Sequence, residues 1–391
     1  MMRLLFDLKS TQPQKHAKFH GAGKYGIAVF KRLIDICPEK VAVYYDENAF
    51  LDESVLKIIQ KKNIPFYSSN KMSLYEAASK VGNFLYVPML GAHEFPYPPS
   101  SIKIATTQHD LRHFLLKRDA YYFKISEKSP IAYFKYFLYL AKEYLWGNTK
   151  RNEVFHKIEA FYSLGNVFCF TVSLHSKYSL IDKCPRLPAN KVSVYWAPST
   201  INKLMEIDTH LQEYGKYWLL VGINRYEKNG LRALEAFDSL FSNHPNIQGK
   251  VIATGWSDWS QIKIKIRNKK RFSLLGYVDE KTLKSLYHFA YCFIYPTLDE
   301  GFGYPPVEAM AEECPVIASA TSSITEICQD GVLYFNPFSI DELKNRILQM
   351  EDENIHQLFR QKAVSRYKLI EERQSRDLDS LCNDLLNLLN I

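Results

Sequence analysis

The sequence predicts an α/β protein made of two Rossmann-like domains, each built on a doubly wound parallel sheet. Three observations support this prediction. The chain has 391 residues, more than one hydrophobic core usually supports. Short runs rich in β-branched and aromatic residues alternate with helix-length segments, an order typical of parallel sheets covered by helices. The alternation runs twice, with a turn-rich gap at 197–200 between the two series.

The predicted strands are short apolar runs bounded by turn residues. In chain order they are 4–8, 41–45, 84–89, 102–106, 167–172 and 192–196, then 217–221, 250–253, 272–275, 290–295 and 315–318. Residues from about 355 to 391 are predicted to be helical, because Leu381, Leu385 and Leu389 recur at helical spacing. The predicted domains are therefore 1–200 and 201–370, with a helix over 371–391 expected to return to the N-terminal domain.

Composition points to a cytoplasmic protein that does not span a membrane. Hydrophobic residues make up 47% of the chain and charged residues 24%, which is ordinary for a globular protein. The seven cysteines are scattered, odd in number and free of any C-x-x-C spacing. Such usage argues against a disulfide framework and favours a reducing compartment. The N-terminus shows no signal-peptide pattern, and no apolar run reaches eighteen residues.

Positive charge is concentrated between Arg112 and Lys157. This stretch holds ten Lys or Arg against four acids, a net charge of +6, and its basic residues alternate with aromatic ones. Such a pattern suits the inner face of an anionic membrane or a nucleic acid, and it also suits a pair of amphipathic helices packed on a core. Because no nucleic-acid-binding motif accompanies it, no nucleic-acid partner is expected. Membrane contact and ordinary helix packing remain open.

The N-terminal glycines Gly21, Gly23 and Gly26 have the G-x-G-x-x-G spacing of a dinucleotide-binding loop. An acid, Asp46, follows twenty residues after the last of them. A dehydrogenase, however, needs its first glycine at the end of the strand, so that the turn holds pyrophosphate against the helix. Here twelve residues, 9–20, separate the predicted strand from Gly21. The glycines are therefore more consistent with a loop that serves other phosphate chemistry.

The most informative motif is YPTLDEGFGYPPVEAMA at 295–311. A strand is predicted to end at Tyr295, and the two prolines suit the first turn of a following helix. The N–H groups of Phe302, Gly303 and Tyr304 at such a helix start are expected to bind a phosphate, aided by the helix dipole. Glu300 in the loop and Glu308, expected in the first turn, are separated by seven residues. The two carboxylates suit the hydroxyl groups on either side of a diphosphate, as in a nucleotide-sugar.

This motif resembles the E-x7-E signature of family 4 retaining glycosyltransferases, which have the GT-B fold. The resemblance continues in PVIAS at 315–319, SSITEI at 322–327 and YFNP at 334–337, and upstream in LLVG at 219–222 followed by Lys228. The N-terminal stretches GAGKY at 21–25 and TQHDL at 107–111 are similar to loops of the bacterial mannosyl- and rhamnosyltransferases of polysaccharide biosynthesis. The resemblance covers 215–350 strongly and the first 200 residues in patches.

The resemblance implies two domains facing across a cleft, with the acceptor bound by the N-terminal domain and the nucleotide-sugar by the C-terminal domain. Glu308 is expected to hold the ribose, Glu300 to position the sugar, and Lys228 with Arg225 to stabilise the diphosphate. Further implied contacts are His109 to the sugar, Val278 to the nucleobase, and Gly21, Gly23 and Lys24 near the donor phosphate and acceptor. The expected donor is GDP-mannose, a deoxyhexose nucleotide or a UDP-hexose, and the expected acceptor is a glycan or lipid-linked intermediate.

Two positions depart from the family pattern. Ile223 follows Gly222 where the family often has Arg, so Arg225 is the candidate replacement cation. Glu313 stands where the family usually has a glycine at a helix end, which predicts a different turn there.

No metal or cofactor is expected, because Lys228 and a helix dipole together can neutralise a diphosphate. The pairs His16/His20 and His109/His113 have helical metal-ligand spacing but lack a recognisable third ligand. The D-x-D triplet at 377–379 is expected on a solvated helix face. Two other functions remain open: a GT-B phosphorylase or epimerase, and a non-catalytic nucleotide-sugar-binding protein.

Overall fold

The computed structural model describes residues 2–13, 21–90 and 98–389, without the side chains of residues 22 and 146–151. The chain divides into two compact units. The first unit contains Met1–His113, Lys150–Thr200 and Glu371–Ile391, and the second contains Phe114–Thr149 and Ile201–Ile370. Among the described residues, no helix combines the length and hydropathy needed to cross a bilayer.

The first unit is built on a seven-stranded parallel sheet with the spatial order β3-β2-β1-β4-β5-β6-β7. Its strands are β1 (Leu4–Asp7), β2 (Val41–Tyr45), β3 (Phe66–Ser68), β4 (Phe84–Val87), β5 (Lys103–Gln108), β6 (Val167–Thr171) and β7 (Val192–Val194). The helices of this part of the chain are α1 (Gly21–Ile36), α2 (Glu53–Lys61), α3 (Leu74–Val81), α4 (Arg112–Leu115), α5 (Ala120–Lys124), α6 (Ser129–Tyr162) and α7 (Leu174–Lys183). Strands β1, β2 and β4 are buried along their whole length, as expected for a sheet covered on both faces.

The second unit is built on a six-stranded parallel sheet with the order β10-β9-β8-β11-β12-β13. Its strands are β8 (Tyr217–Leu220), β9 (Lys250–Ala253), β10 (Phe272–Leu274), β11 (Cys292–Tyr295), β12 (Val316–Ser319) and β13 (Leu333–Phe335). The remaining helices are α8 (Gly230–Asn243), α9 (Glu280–Phe289), α10 (Tyr304–Ala311), α11 (Ser322–Cys328), α12 (Ile340–Met350) and α13 (Glu353–Leu388). One face of α8 packs on the sheet through Leu234 and Phe237, which join Trp218 in the core.

The order of strands determines where a ligand can bind. In an open parallel sheet the ligand crevice lies beyond the carboxyl ends of the strands, where the winding direction reverses. The reversal falls between β1 and β4 in the first unit and between β8 and β11 in the second. Gly222 follows β8 and Glu300 follows β11, so the main motif lies at the reversal point of the second sheet.

The predicted fold class is confirmed, since each of the eleven predicted strands overlaps an observed one. Two edge strands, β3 and β13, were missed. Each is three residues long and only one residue of each is buried, so neither leaves a clear apolar run in the sequence. Relative to the predicted domain ranges, the main difference is that 114–149 groups with the second unit.

The C-terminal part of α13 belongs to the first unit. Asp377 accepts a hydrogen bond from the Trp196 backbone N–H at 2.9 Å, and Gln374 donates to the carbonyl of Ala197 at 2.6 Å. Asp377 is only 9% exposed. The expectation that the D-x-D triplet lies on a solvated face is therefore wrong for Asp377, because this carboxylate caps the chain after β7. Asp379, by contrast, is part-exposed and pairs with Arg32 at 2.6 Å.

The turn after α10 also differs from expectation. Glu313 has φ +58°, in the left-handed region where the family's glycine would be unstrained. Its N–H donates to the carbonyl of Met310 at 3.1 Å, which closes the helix end. The prediction of a different turn is therefore wrong, since the turn is kept and Glu313 is strained.

Candidate active site

The loop between β11 and α10 ends at Gly303, a position that suits only glycine. Gly303 has φ +99° and occupies the N-cap position of α10. A Cβ added there would meet Cδ1 of Ile324 at 2.5 Å. Pro305 and Pro306 follow in the first turn, where a proline costs no helix hydrogen bond. With Phe302 buried at the loop and Tyr304 as the first helical residue, the arrangement presents a helix N-terminus suited to an anion.

Beside this helix start lies a buried ion pair. Nζ of Lys228 is 2.5 Å from Oε1 of Glu300 and donates to the Tyr295 hydroxyl at 2.9 Å. The Thr297 hydroxyl donates to the same Glu300 oxygen at 3.0 Å. Lys228 and Glu300 are 6% and 7% exposed. Two residues predicted to act on neighbouring parts of one ligand are thus in direct contact in this structure.

The backbone of Glu300 is fixed by the start of α11. Its N–H donates to the Ser322 hydroxyl at 2.9 Å, and its carbonyl accepts from the Ser323 hydroxyl at 2.9 Å. Ser322 itself has φ +45°, an uncommon conformation for a residue with a side chain. These two serines form part of the stretch similar to the family's S-S-I-T-E-I run, but sequence reasoning gave them no role. Tyr295 and Thr297 were missed in the same way.

Glu308 lies half-buried on α10 as its fifth residue. It therefore lies beyond the first turn in which it was expected. Tyr287 of α9 lies close enough to interact with it electrostatically. Burial above all, and the Glu308 carboxylate next, hold the pKa of Tyr287 well above its ordinary value. The phenol therefore stays protonated beside the carboxylate that is the candidate ribose ligand.

Arg225, the candidate second phosphate-binding cation, lies near the glycine turn after β8. A Cβ built on Gly222 would lie 3.6 Å from Nη2 of Arg225, so the guanidinium reaches back to the glycine turn after β8. The side chain is 53% exposed and pairs with Glu227 at 3.4 Å. Ile223, which replaces the family's usual Arg, is buried in the core. Its Cβ would lie 2.3 Å from a Cβ on Gly230, so Ile223 packs against the start of α8.

The turn after β10 holds Val278, the candidate nucleobase contact. Gly276 has φ +67°, and its carbonyl accepts a hydrogen bond from the Gly255 N–H at 2.7 Å. The next residue, Tyr277, is 74% exposed, whereas Val278 is half-buried. The two glycines join the turns after β9 and β10 at the carboxyl edge of the sheet.

In the first unit, His109 directly follows β5. One ring nitrogen, Nε2, lies 2.9 Å from the carbonyl oxygen of Pro88, and the ring packs edge to face on Tyr25 at 4.7 Å between centroids. Its backbone carbonyl accepts from the Ser176 hydroxyl at 2.6 Å. A neutral His109 that donates from Nε2 to Pro88 carries its lone pair on Nδ1.

Tyr25 is itself held by two buried hydroxyl groups. Its phenol oxygen lies 3.0 Å from Oγ1 of Thr107 and 3.2 Å from the Tyr86 oxygen. Burial raises the pKa of Tyr25 to about 12. The hydroxyl cluster thus orients the ring on which His109 packs. Tyr25 and Thr107 lie in the GAGKY and TQHDL stretches, but sequence reasoning gave neither of them a role.

The predicted glycine loop is partly helical. Gly21, Gly23 and Lys24 fall in the first turn of α1, so the expectation of a loop at these three residues is wrong. Gly26 is the glycine with a clear packing reason. A Cβ there would meet Cγ2 of Thr11 at 2.4 Å and Pro88 at 3.1 Å, so its absence lets α1 lie against the ends of β1 and β4.

The two histidine pairs, His16/His20 and His109/His113, are the candidate metal ligands. Over the described residues, no group of three His, Cys, Asp or Glu is arranged to hold a metal ion. His16 and His20 lie outside the described residues.

Comparison with known proteins agrees with the fold and the motif. Residues 206–366 match the family model of glycosyl transferases group 1. The O-antigen chain mannosyltransferase RfbU of Salmonella typhimurium is 34% identical over 201 residues, which are 50% of this chain and 52% of that protein. The O-antigen chain mannosyltransferase B of Escherichia coli is 29% identical over 168 residues, 40% of this chain and 44% of that protein. The matches thus span about half the length of these relatives.

Solved structures match over nearly the whole chain. Anabaena HepE in complex with UDP superposes with a TM-score of 0.65 at 13% identity, covering 99% of this chain and 100% of that one. WaaG, a glycosyltransferase involved in lipopolysaccharide biosynthesis, gives a TM-score of 0.64 at 11% identity, covering 96% and 98%. At these identities the likeness establishes the fold alone. The solved structures thus establish the GT-B fold for the chain, and residues 206–366, which contain the motif around Glu300 and Glu308, match the group 1 glycosyl transferases.

Proposed function

We propose that the protein transfers a hexose or deoxyhexose from a nucleotide diphosphate sugar to a glycan or lipid-linked acceptor in cell-surface polysaccharide synthesis. The observation that carries the proposal is the buried Lys228–Glu300 pair at the start of α10. A cation and a carboxylate within hydrogen-bond distance of each other, with the carboxylate in the loop that leads into an anion-binding helix start, suit a sugar bonded to a diphosphate. The family match supports the same reaction class.

Each residue is assigned one part of the donor. Glu308 binds the ribose hydroxyls, and the turn at Val278 contacts the base. Lys228, Arg225 and the N–H groups of 302–304 bind the diphosphate. Glu300 positions the sugar, and His109 of the first unit donates to or accepts from a sugar hydroxyl. Gly21, Gly23 and Lys24 contribute to the binding of donor phosphate and acceptor.

The proposed reaction retains the anomeric configuration. The acceptor hydroxyl oxygen attacks the anomeric carbon on the face from which the diphosphate leaves. The carbon–oxygen bond to the diphosphate breaks, and the acceptor proton passes to the departing phosphate oxygen. Charge therefore grows on the leaving group, and Lys228 and the α10 N-terminus stabilise it without a metal ion. NMR of the product's anomeric proton would establish retention or inversion.

The donor is proposed to be GDP-mannose or a deoxyhexose nucleotide, with a UDP-hexose as the alternative. Matches to O-antigen mannosyltransferases support the first choice. The HepE structure in complex with UDP supports the second. A panel of nucleotides and nucleotide-sugars in a thermal-shift assay separates them, since a ligand at 100 times its Kd adds about 2.7 kcal/mol of stability.

The paired glutamates provide the test of the mechanism. Glu308→Ala is expected to weaken nucleotide binding, because a ribose contact is present in ground and transition states alike. Glu300→Gln is expected to lower kcat by ~10² to 10³-fold with a smaller change in nucleotide Kd. Glu312 directly follows α10 and pairs with Lys284, and the variant Glu312→Gln serves as the control.

Full activity in either site variant would contradict these roles. Two other functions are outcomes of the same assay. Sugar release that requires inorganic phosphate would indicate a phosphorylase, and turnover of donor alone without acceptor would indicate an epimerase. Nucleotide-sugar binding without turnover would indicate a binding protein.

We further propose that the protein contacts an anionic membrane through α6. Large apolar side chains on this helix are exposed over 131–145; they are Ile131, Tyr133, Phe134, Phe137, Leu138, Leu140, Tyr144 and Leu145. Lys135 and Lys142 border this face. Exposed rings at headgroup level, with lysines beside anionic lipid at ~1 kcal/mol each, suit a helix lying in the membrane surface. This placement would bring lipid-linked acceptors to the enzyme.

Liposome co-sedimentation tests the membrane proposal. Wild-type protein should bind anionic vesicles, and binding should fall with added salt because exposed charges are screened. Phe134→Glu with Phe137→Glu should abolish binding, whereas Leu204→Glu, at a leucine 93% exposed outside α6, should not. Equal binding to neutral vesicles, or none to anionic ones, would overturn the proposal.

A further inference from the structure

Part of the 114–149 segment is hydrogen-bonded to the turn after β8 and to α8 in the second unit. The Tyr226 hydroxyl, in the turn between Arg225 and Lys228, accepts from the Asp119 N–H at 3.0 Å and donates to the carbonyl of Lys117 at 2.9 Å. The Tyr226 ring also packs edge to face on Tyr122 at 5.2 Å between centroids. The turn that carries Lys228 is thus attached through its own side chain to a segment more than 100 residues earlier in the chain.

A buried charge pair reinforces this attachment. Arg232 of α8 is 8% exposed and forms an ion pair with Asp119. Its guanidinium carbon lies 4.0 Å from the centroid of the Tyr121 ring and 5.3 Å from that of the Phe338 ring. The Tyr121 hydroxyl donates to Glu235 at 2.5 Å. A buried guanidinium needs a compensating anion, and Asp119 supplies it from the segment.

The Arg232 guanidinium is also connected to the candidate active site through the side chain of Asn229. Nη1 of Arg232 donates to Oδ1 of Asn229 at 2.8 Å, and Nδ2 of Asn229 donates to the carbonyls of Pro296 at 2.9 Å and Pro337 at 2.7 Å. Asn229 directly follows Lys228 and is left-handed, with φ +55°. Pro296 directly follows Tyr295, whose hydroxyl receives the Lys228 hydrogen bond. One side chain therefore joins the Lys228 turn to the loop that carries Glu300.

We propose that Asp119, Arg232 and Asn229 are positioning residues that hold Lys228 and Glu300 at the geometry needed for transfer. These three residues are called the positioning chain below. Asp119 neutralises Arg232, and Arg232 holds the side-chain amide of Asn229 in place. Asn229 in turn joins the turn that carries Lys228 to the loop that carries Glu300. Misplacement of catalytic groups by 1 Å costs about 10²-fold in rate, so small relaxations of this chain should be visible in kcat. The inference rests on the proposed transferase function.

The sharpest variant is Asn229→Gly. Glycine adopts the left-handed conformation without strain, so the variant removes the bridge between the loops and leaves the backbone turn intact. The expected result is a fall in kcat of ~10 to 10²-fold, with the Kd for GDP or UDP changed less than about threefold.

Asp119 provides a graded series. Asp119→Asn keeps acceptor oxygen for Arg232 but not the charge, and Asp119→Ala removes both. We expect kcat to fall in the order wild type, Asn, Ala. Glu312→Ala is the matched control, because it removes another ion-pair carboxylate of the same unit, that of Lys284, outside the positioning chain. It should lower stability without lowering kcat at temperatures where each variant is folded.

Wild-type kcat in Asn229→Gly and Asp119→Ala would overturn the inference. So would an equal loss of kcat in Glu312→Ala at matched stability, since that loss would reflect general destabilisation. Failure of the proposed function is a different result, because the wild type would then bind GDP or UDP but show no transfer in the same assay.

Discussion

Asp7 allows a quantitative test of how burial at the end of β1 affects stability. Its side chain is 6% exposed. Burial, only partly offset by the hydrogen bond from the Ser10 N–H at 3.3 Å, raises the pKa of Asp7 to about 6. In the unfolded chain an aspartate titrates near a pKa of ~3.9. Between these values the folded state holds more protons than the unfolded state, so the free energy of unfolding falls as pH rises.

The magnitude follows from the difference between the two pKa values. That difference, about two, corresponds to ~3 kcal/mol, present in full below the unfolded pKa and lost as pH rises through the folded pKa. Roughly 2 kcal/mol of that change falls between about pH 4.5 and 8. Asp7→Asn removes the titration, so the variant should gain stability on the wild type by that amount across this interval.

The assay is urea unfolding of both proteins at several pH values, with the difference between them plotted against pH. Asp46→Asn in the same unit is the control of opposite sign. Hydrogen bonds from the backbone of Asn48 and the side chain of Asn70 lower the pKa of Asp46, so its removal should not favour the variant at high pH. A flat difference for Asp7→Asn, or an Asp7 carboxyl carbon that titrates near a pKa of ~4 by NMR, would refute the reasoning.

Two other predictions follow from the turn after α10 and from the diphosphate site. Glu313→Gly should raise the free energy of unfolding by about 0.5 to 1 kcal/mol, because glycine adopts the left-handed conformation without strain. This gain should exceed the cost of a more flexible unfolded chain and of losing an exposed ion pair with Arg360. A lower urea midpoint for the variant would contradict this prediction. If Lys228 and the start of α10 neutralise the diphosphate as proposed, transfer should continue in excess EDTA; loss of activity that Mn²⁺ or Mg²⁺ restores would contradict the proposal.

The fold was predictable because buried parallel strands leave continuous apolar runs in the sequence. Val41–Tyr45 and Lys250–Ala253 were predicted to the residue. Phe66–Ser68 and Leu333–Phe335 were not, since edge strands need only one covered face and leave short, mixed patterns. The burial of Asp377 was missed for a different reason, because its carboxylate accepts a hydrogen bond from the backbone of Trp196, 181 positions earlier in the chain.

The candidate site was predictable where chemistry depends on local spacing. Glu300, Gly303 and the two prolines of α10 are close in sequence, so their arrangement follows from one strand, one loop and one helix start. Asn229 and Asp119 contribute through contacts across 67 to 113 residues, measured from Pro296 to Asn229 and from Asp119 to Arg232. No local pattern identifies such contacts. The sequence marked Ile223 only as a position where a cation is absent, whereas the structure shows that its side chain packs against Gly230 at the start of α8.

The discontinuity of the first unit has a consequence for the order in which the protein folds during synthesis. Domains usually fold from the N-terminus as the ribosome releases them. Here the carboxyl end of β7 is closed by Gln374 and Asp377, which are made about 180 residues later. The unit that is translated first therefore lacks its C-terminal helical part until the residues after 370 have emerged, whereas the second unit has all of its strands before that point. Ribosome-bound chains halted before residue 371 should accordingly contain a protease-resistant second unit and a protease-sensitive first one.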